Sequence, residues 1–201
     1  MPSKEQYQNY LNLPQVKAAL DVIAWAEGAN YNTLYGGGSF SGSQHPNRAI
    51  TAGSYTSTAA GRYQFLYSTW NGIRNKLGLA DFSPINQDIA ALELINQRGG
   101  LSYLLNGDFE GMLRTLGCAW ASLPFSGCGQ GEKTLSQVLN YFNGALSVYG
   151  GTAAANINNA VDTSVQQILN GDVASSGGDS KNIIVIALAG FAALFVFSRY
   201  Y

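Results

Sequence analysis

Glu27 is a lone acid closing the apolar stretch Val22-Ile23-Ala24-Trp25-Ala26-Glu27-Gly28, and the next carboxyl in the chain is Asp81. At helical spacing Val16, Leu20, Ile23 and Glu27 share one stripe, so the carboxyl continues the side that should meet the core. Burial there disfavours the anion, and the negative end of the helix dipole, just before Gly28, adds to the effect. The chemistry this suggests is general-acid catalysis near neutral pH. Periodicity leaves one alternative open, a helix-end carboxylate turned to solvent.

Acid-catalysed glycosidic cleavage ordinarily uses two carboxyl groups, about 5–5.5 Å apart for retention and further apart for inversion. The 53 residues from 28 to 80 hold neither Asp nor Glu. Asp21, six positions before Glu27, would point about 120° away on a helix. Asp81, Asp88 and Glu93 serve only if the fold returns them to the site. A cleavage that needs one carboxyl is intramolecular: Glu protonates the leaving oxygen, then accepts the proton of the sugar's own hydroxyl as that hydroxyl attacks the anomeric carbon. Muramic acid offers its 6-hydroxyl for this closure.

The stretch Ser57-Thr58-Ala59-Ala60-Gly61-Arg62-Tyr63-Gln64-Phe65 combines small residues with donors and an aromatic face. It reads as a sugar-binding wall, since rings cover pyranose faces while amides and hydroxyls satisfy their edges. A plain helix start capped by Ser57 or Thr58 fits the composition equally well.

Composition agrees with a neutral ligand. Of 201 residues 46% are hydrophobic and only 11% charged, and the net charge is −1. With no Lys/Arg cluster, the footprint for nucleic-acid binding is missing. Two cysteines, Cys118 and Cys128, and one histidine, His45, are too few soft ligands for a zinc centre, so neither metal nor cofactor is expected. The cysteines can pair across a ten-residue loop in an oxidising compartment or remain separate thiols.

The elements that must position these residues are mostly helices. Pro14 suits the first turn of a helix running to Glu27, with Gly28 as its stop. Residues 29–58 read as turns and short strands or irregular loops. Helical pattern returns over Ala59–Leu77, Asn86–Gln97 and Phe109–Leu123, and again from Leu135 through Leu146 to Gly150-Gly151. A weaker helix over Ala153–Leu169 precedes a flexible linker, 170–180. Asn182 to Ser198 is then 17 residues without a charge, about 25 Å as a helix. It reads as a transmembrane anchor in a lipid bilayer, flanked by Lys181 and Arg199, with Tyr200 and Tyr201 at the interface. The amino terminus lacks the basic, apolar and small-residue pattern of a secretory signal peptide, so none is expected.

The ordered run Ala24-Trp25-Ala26-Glu27-Gly28, His45-Pro46, Ser57 to Gln64, Leu77 to Pro84, Gln87-Asp88, Arg98-Gly99 and Trp120-Ala121-Ser122-Leu123-Pro124 resembles the lambda-type phage lysozymes, which are endolysin-like lytic transglycosylases. The resemblance implies a lysozyme-like α+β domain, mainly helical with a small strand and loop region. It implies cleavage of the MurNAc–GlcNAc bond of peptidoglycan glycan strands with a 1,6-anhydro product. Glu27 matches the family's catalytic glutamate. Tyr63 and Gln64 match its cleft-lining segment, with Ser57 and Arg62 beside them, and Trp120 and Gln130 match further cleft positions. Cys128 replaces a tyrosine of the family pattern.

The expected organisation is a catalytic domain over 1–150, a helix and linker over 151–181 and an anchor over 182–201. An anchored domain without a signal peptide suggests a virion component, associated with other virion proteins and with a viral membrane or the host inner membrane, opening the wall when the genome is delivered. The alternatives are a hydrolytic muramidase for host lysis and a non-enzymatic glycan-binding virion protein.

Overall fold

The computed structural model describes residues 1–129 and 131–150, together with the backbone of 183–188 and 191–196. Two units divide the chain, Met1–Asn158 and Asn159–Tyr201.

The first unit is helical with one small sheet. Helix α1 (Lys4–Tyr10) starts at a reciprocal cap between Ser3 and Gln6, which satisfies two otherwise orphaned backbone donors. Helix α2 (Pro14–Glu27) has the expected bounds: Pro14 needs no amide partner in the first turn, and Gly28 ends the helix at φ 62°, ψ 33°. Strands β1 (Ile50–Ala52) and β2 (Tyr55–Ser57) form an antiparallel hairpin within the turn-rich region, Ile50 pairing with Ser57. Then come α3 (Tyr67–Leu77), α4 (Pro84–Gln97), α5 (Leu101–Leu105), α6 (Phe109–Leu116) and α7 (Leu135–Val148).

Helix α4 is buried nearly all round, with Ile89, Ala90, Ala91, Leu92 and Ile95 all at 0% exposure, which marks it as the central helix. The other helices bury one side each. Val16, Ala19 and Ile23 of α2 join this core, and Phe109 of α6 stacks on Phe142 of α7 at 4.0 Å. His45 pins the loop before β1: its Nε2 lies 2.8 Å from the Phe65 carbonyl, and its Nδ1 accepts the Asn47 amide at 3.1 Å. Burial lowers the His45 pKa, and these two bonds fit the neutral ring.

Several sequence expectations are corrected. The helix expected over Ala59–Leu77 is confined to Tyr67–Leu77. Residues 59–66 instead form a tight reversal, with Ala60 and Phe65 bridged in both directions and Gln64 at φ 47°. Gly61 explains why. At φ 79° its missing side chain leaves room for Gln87 and Phe82, whose atoms would lie 2.3 and 2.7 Å from a Cβ. The helix expected over Phe109–Leu123 stops at Leu116 and gives way to a short 3₁₀ turn, Gly117–Ala119.

The anchor expected as one helix over Asn182–Ser198 is not helical at 183–188 and 191–196. Its described parts are two antiparallel strands, β3 (Ile183–Leu188) and β4 (Phe191–Val196), in register from Ile183↔Val196 to Leu188↔Phe191. Short apolar runs rich in Ile, Val and Phe suit strands as well as helices, and hydropathy cannot separate the two. Among the described residues no helix is long and apolar enough to cross a membrane. The helix expected over 153–169 and the linker 170–180 lie outside the described residues.

Candidate functional site

Glu27 is the last residue of α2, fixed in direction by the left-handed turn at Gly28, whose amide returns to the Ala24 and Trp25 carbonyls. The side chain is half-buried. Ser122 Oγ donates to Glu27 Oε1 at 2.5 Å. Burial pushes the Glu27 carboxyl above the usual glutamate range, and the Ser122 hydrogen bond opposes this only in part. Among the described residues no neighbouring charge contributes to the shift.

Ser122 is placed by the turn that follows α6. Trp120, 3% exposed, anchors that turn by donating its indole N–H to the Tyr63 carbonyl at 3.0 Å. The Ser122 carbonyl accepts the Lys133 amide at 2.8 Å. Across the same loop Cys118 and Cys128 are joined in a disulfide, Cα to Cα 5.7 Å, the paired one of the two states open from sequence. Glu132 ties the same loop, accepting from Ser126 Oγ at 2.6 Å and the Gly127 amide at 3.0 Å. Lys133 also lies over the Trp25 ring, 5.0 Å from its centre, so the loop is clasped to the last turn of α2.

The other carboxyl groups among the described residues are engaged elsewhere. Asp21 pairs with Arg62 and accepts from Tyr149 at 2.7 Å. Asp88 accepts from Tyr63 at 2.6 Å and from Tyr31 at 3.0 Å. Glu93 is held by Lys76, Tyr7 and Gln97. Asp81 accepts from Asn86 at 2.7 Å, Asp108 caps α6, and Glu110 pairs with Arg114. Glu5 sits beside Ser3 at the start of α1, and Glu132 serves the loop. Glu27 therefore has no second acid as a partner in this set, and no described group of three or more His, Cys, Asp or Glu could hold a metal ion.

The residues expected to line a sugar wall separate into two groups. Tyr63 is 1% exposed and spends its hydroxyl on Asp88, so its ring offers no stacking face. Trp120 is likewise buried, and its role is to hold the Ser122 turn. Arg62 turns inward to Asp21, Asp88, Tyr31 and Tyr63. In this arrangement all three brace the molecule from inside, Arg62 and Tyr63 through the reversal at Gly61 and Trp120 through the turn after α6. Ser57, at the end of β2, and Gln64 remain partly accessible. Ser57 Oγ accepts the Ala59 amide at 3.1 Å, and Gln64 Nε2 donates to the Gly61 carbonyl at 2.9 Å, which leaves the Gln64 amide oxygen for a ligand. Gln130 lies outside the described residues. Ser122 received no role from sequence, although it stands inside one of the runs that carried the resemblance; only folding shows that its hydroxyl meets an acid 95 residues away.

Comparison with known proteins places this geometry. Residues 17–149 match the family described as Endolysin. The endolysin of Escherichia phage lambda is 39% identical over 150 residues, covering 69% of this chain and 92% of that protein. The endolysin of Escherichia phage P2 is also 39% identical, over 103 residues, covering 51% of this chain and 62% of its relative. The structure of bacteriophage lambda lysozyme complexed with a chitohexasaccharide superposes with a TM-score of 0.64 at 38% identity, covering 70% of this chain and 96% of that one. With the matched stretch running from the first turn of α2 to the end of α7, and so through both Glu27 and the turn that meets it, the chain belongs to the endolysin family.

Proposed function

We propose that this protein is a peptidoglycan-cleaving enzyme working as a lytic transglycosylase. The observation that carries the reading is the solitary, half-buried Glu27 carboxyl, raised in pKa with no charged neighbour. In its protonated form Glu27 gives its proton to the oxygen linking MurNAc C1 to GlcNAc, and the C1–O bond breaks. The carboxylate so formed takes the proton of the MurNAc 6-hydroxyl while that oxygen bonds to C1. The products are a free GlcNAc 4-hydroxyl and a 1,6-anhydro MurNAc end; no water is consumed, and Glu27 recovers its proton.

Ser122 orients the carboxyl, and Ser57 and Gln64 contact the glycan. That lambda lysozyme was solved with a chitohexasaccharide supports a glycan ligand here. Mass spectrometry of digested peptidoglycan tests the mechanism. Muropeptides lighter by one water than their hydrolytic counterparts are expected, and reducing ends alone would overturn it in favour of a hydrolase. A Glu27→Gln protein with undiminished wall cleavage would remove the acid assignment altogether.

The biological setting proposed with this activity is a membrane-associated virion component acting at genome delivery, supported by the uncharged run 182–198. Release of progeny by host lysis is the second reading, favoured by the endolysin names of the relatives. Fractionation of purified particles and infected-cell membranes separates them. Recovery only in the soluble fraction of infected cells would exclude membrane association.

A further inference from the structure

The side of α2 turned away from Glu27 borders a hollow that the proposed reaction does not use. Asp21 and Trp25 form one wall of a cavity of about 800 Å³, Tyr31 and Arg62 another, and Tyr141 and Tyr149 of the α7 end a third. A second hollow of about 350 Å³ shares Asp21, Tyr141 and Tyr149 and extends along α7 past Gly144. They adjoin along α7 as an elongated groove, and each lies in the size range of about 300–1,000 Å³ usual for ligand sites. On the helix, Asp21 is about 120° and Trp25 about 160° round from Glu27, so a molecule in the groove lies on another face of α2 from the acid.

The charges lining this groove balance, with Lys17 and Arg62 against Asp21 and Asp88. Arg62 pairs with both Asp21 and Asp88, Tyr149 donates to Asp21 at 2.7 Å, and Lys17 lies over the Tyr149 ring. The groove therefore presents no net charge to an ionic ligand. What remains available is aromatic surface and neutral polar groups. Trp25 and Tyr141 stack at 4.7 Å with 18° between their planes, Tyr141 and Tyr149 are each 38% exposed, and the amides of Asn12 and Asn30 are exposed at the rim. Flat rings flanked by amides and hydroxyls, without net charge, suit a neutral pyranose.

We propose that this groove is a second carbohydrate site, taking N-acetylated pyranoses of a glycan strand other than the segment at Glu27. The ligand class rests on the proposed function; the groove and its internal charge pairing do not. A domain with two such sites stays on the wall between cleavage events, because release from one leaves the other engaged.

Chitohexaose, an uncharged glycan, is the probe, titrated calorimetrically into the full chain carrying Glu27→Gln so that nothing is cleaved. Two binding events per chain are expected. Tyr141→Ser should abolish one or weaken it at least tenfold while leaving the other, and Tyr141→Phe should restore it; circular dichroism of each variant checks folding. Trp25 gives an independent signal, since Trp70 and Trp120 are 1% and 3% exposed and only Trp25 can respond directly to a ligand. Saturation at one site or none, or two sites both indifferent to Tyr141→Ser, overturns the proposal. Failure of the enzymatic reading is seen separately, as wall cleavage retained by Glu27→Gln.

Discussion

Glu93 is wholly buried in the middle of α4 and Glu27 only half-buried at the end of α2, yet the deeper carboxyl holds its proton less firmly. Burial raises both. Around Glu93 the Lys76 ammonium at 2.5 Å, the Tyr7 hydroxyl at 2.5 Å and the Gln97 amide at 2.7 Å outweigh that cost, and its pKa falls below the ordinary value. Around Glu27 a single serine hydroxyl opposes burial and loses. Depth alone does not decide protonation; the number and charge of the donors does. One glutamate is built as an anion that ties α1, α3 and α4 together, the other as an acid with a proton to give.

The widest separation between the two comes from removing each carboxyl in turn. Glu27→Gln should lower the rate of peptidoglycan cleavage by about 10²–10⁴-fold, the usual share of a general acid. Its effect on stability has the opposite sign. A raised pKa contributes stability below the usual glutamate value, lost as pH rises through the raised one, so above it the native protein bears the cost of a poorly solvated anion. Glu27→Gln should therefore melt at least as high as the wild type at pH 7. Glu93→Gln should leave the chemistry of cleavage intact and melt lower. A depressed pKa contributes stability above the usual value, lost as pH falls through the depressed one, and this variant should lose that acid-side dependence. Thermal unfolding between pH 3 and 8 reads both, and parallel profiles would erase the distinction.

A milder strike at the same contrast is Lys76→Met, which strands the Glu93 carboxyl. Fully buried pairs cost about 3–5 kcal/mol when one partner is removed. Lys76 is 37% exposed, and Tyr7 and Gln97 remain, so a loss of about 1–3 kcal/mol in urea unfolding is expected. Glu93 should then titrate higher, toward the behaviour of Glu27.

The same split between local and distant causes governs what the sequence revealed. Helix α2 was legible to its ends because Pro14, the apolar stripe and Gly28 are signals carried within it. So was the lone acid. Residues 59–66 misled because Thr58-Ala59-Ala60 favours a helix locally, while the deciding contacts come from Gln87, which bonds the Arg62 amide from 25 positions away. The donors of Arg62 and the ring of Tyr63 suggested sugar contacts for the same reason: Asp21 and Asp88, which claim them, lie on two other helices. In the apolar run near the C-terminus hydropathy was plain, but its period was too short to separate helix from strand.

The finest difference between the two glutamates is the weight of one hydroxyl. Among the described residues Ser122 alone holds the Glu27 proton affinity down by a hydrogen bond, so in Ser122→Ala the carboxyl should rise further above its usual range. The first step needs the protonated form, and the rate should fall as pH rises through the pKa of the free enzyme. Loss of Ser122 therefore moves the alkaline limb of kcat/KM to higher pH while the plateau drops about fivefold, consistent with about 1 kcal/mol of lost positioning. Ser122→Thr, which keeps the hydroxyl, should return the limb to its wild-type place. An alkaline limb that stays fixed in Ser122→Ala would mean that another group sets the pH dependence, and Glu27 would then differ from Glu93 in depth without differing in task.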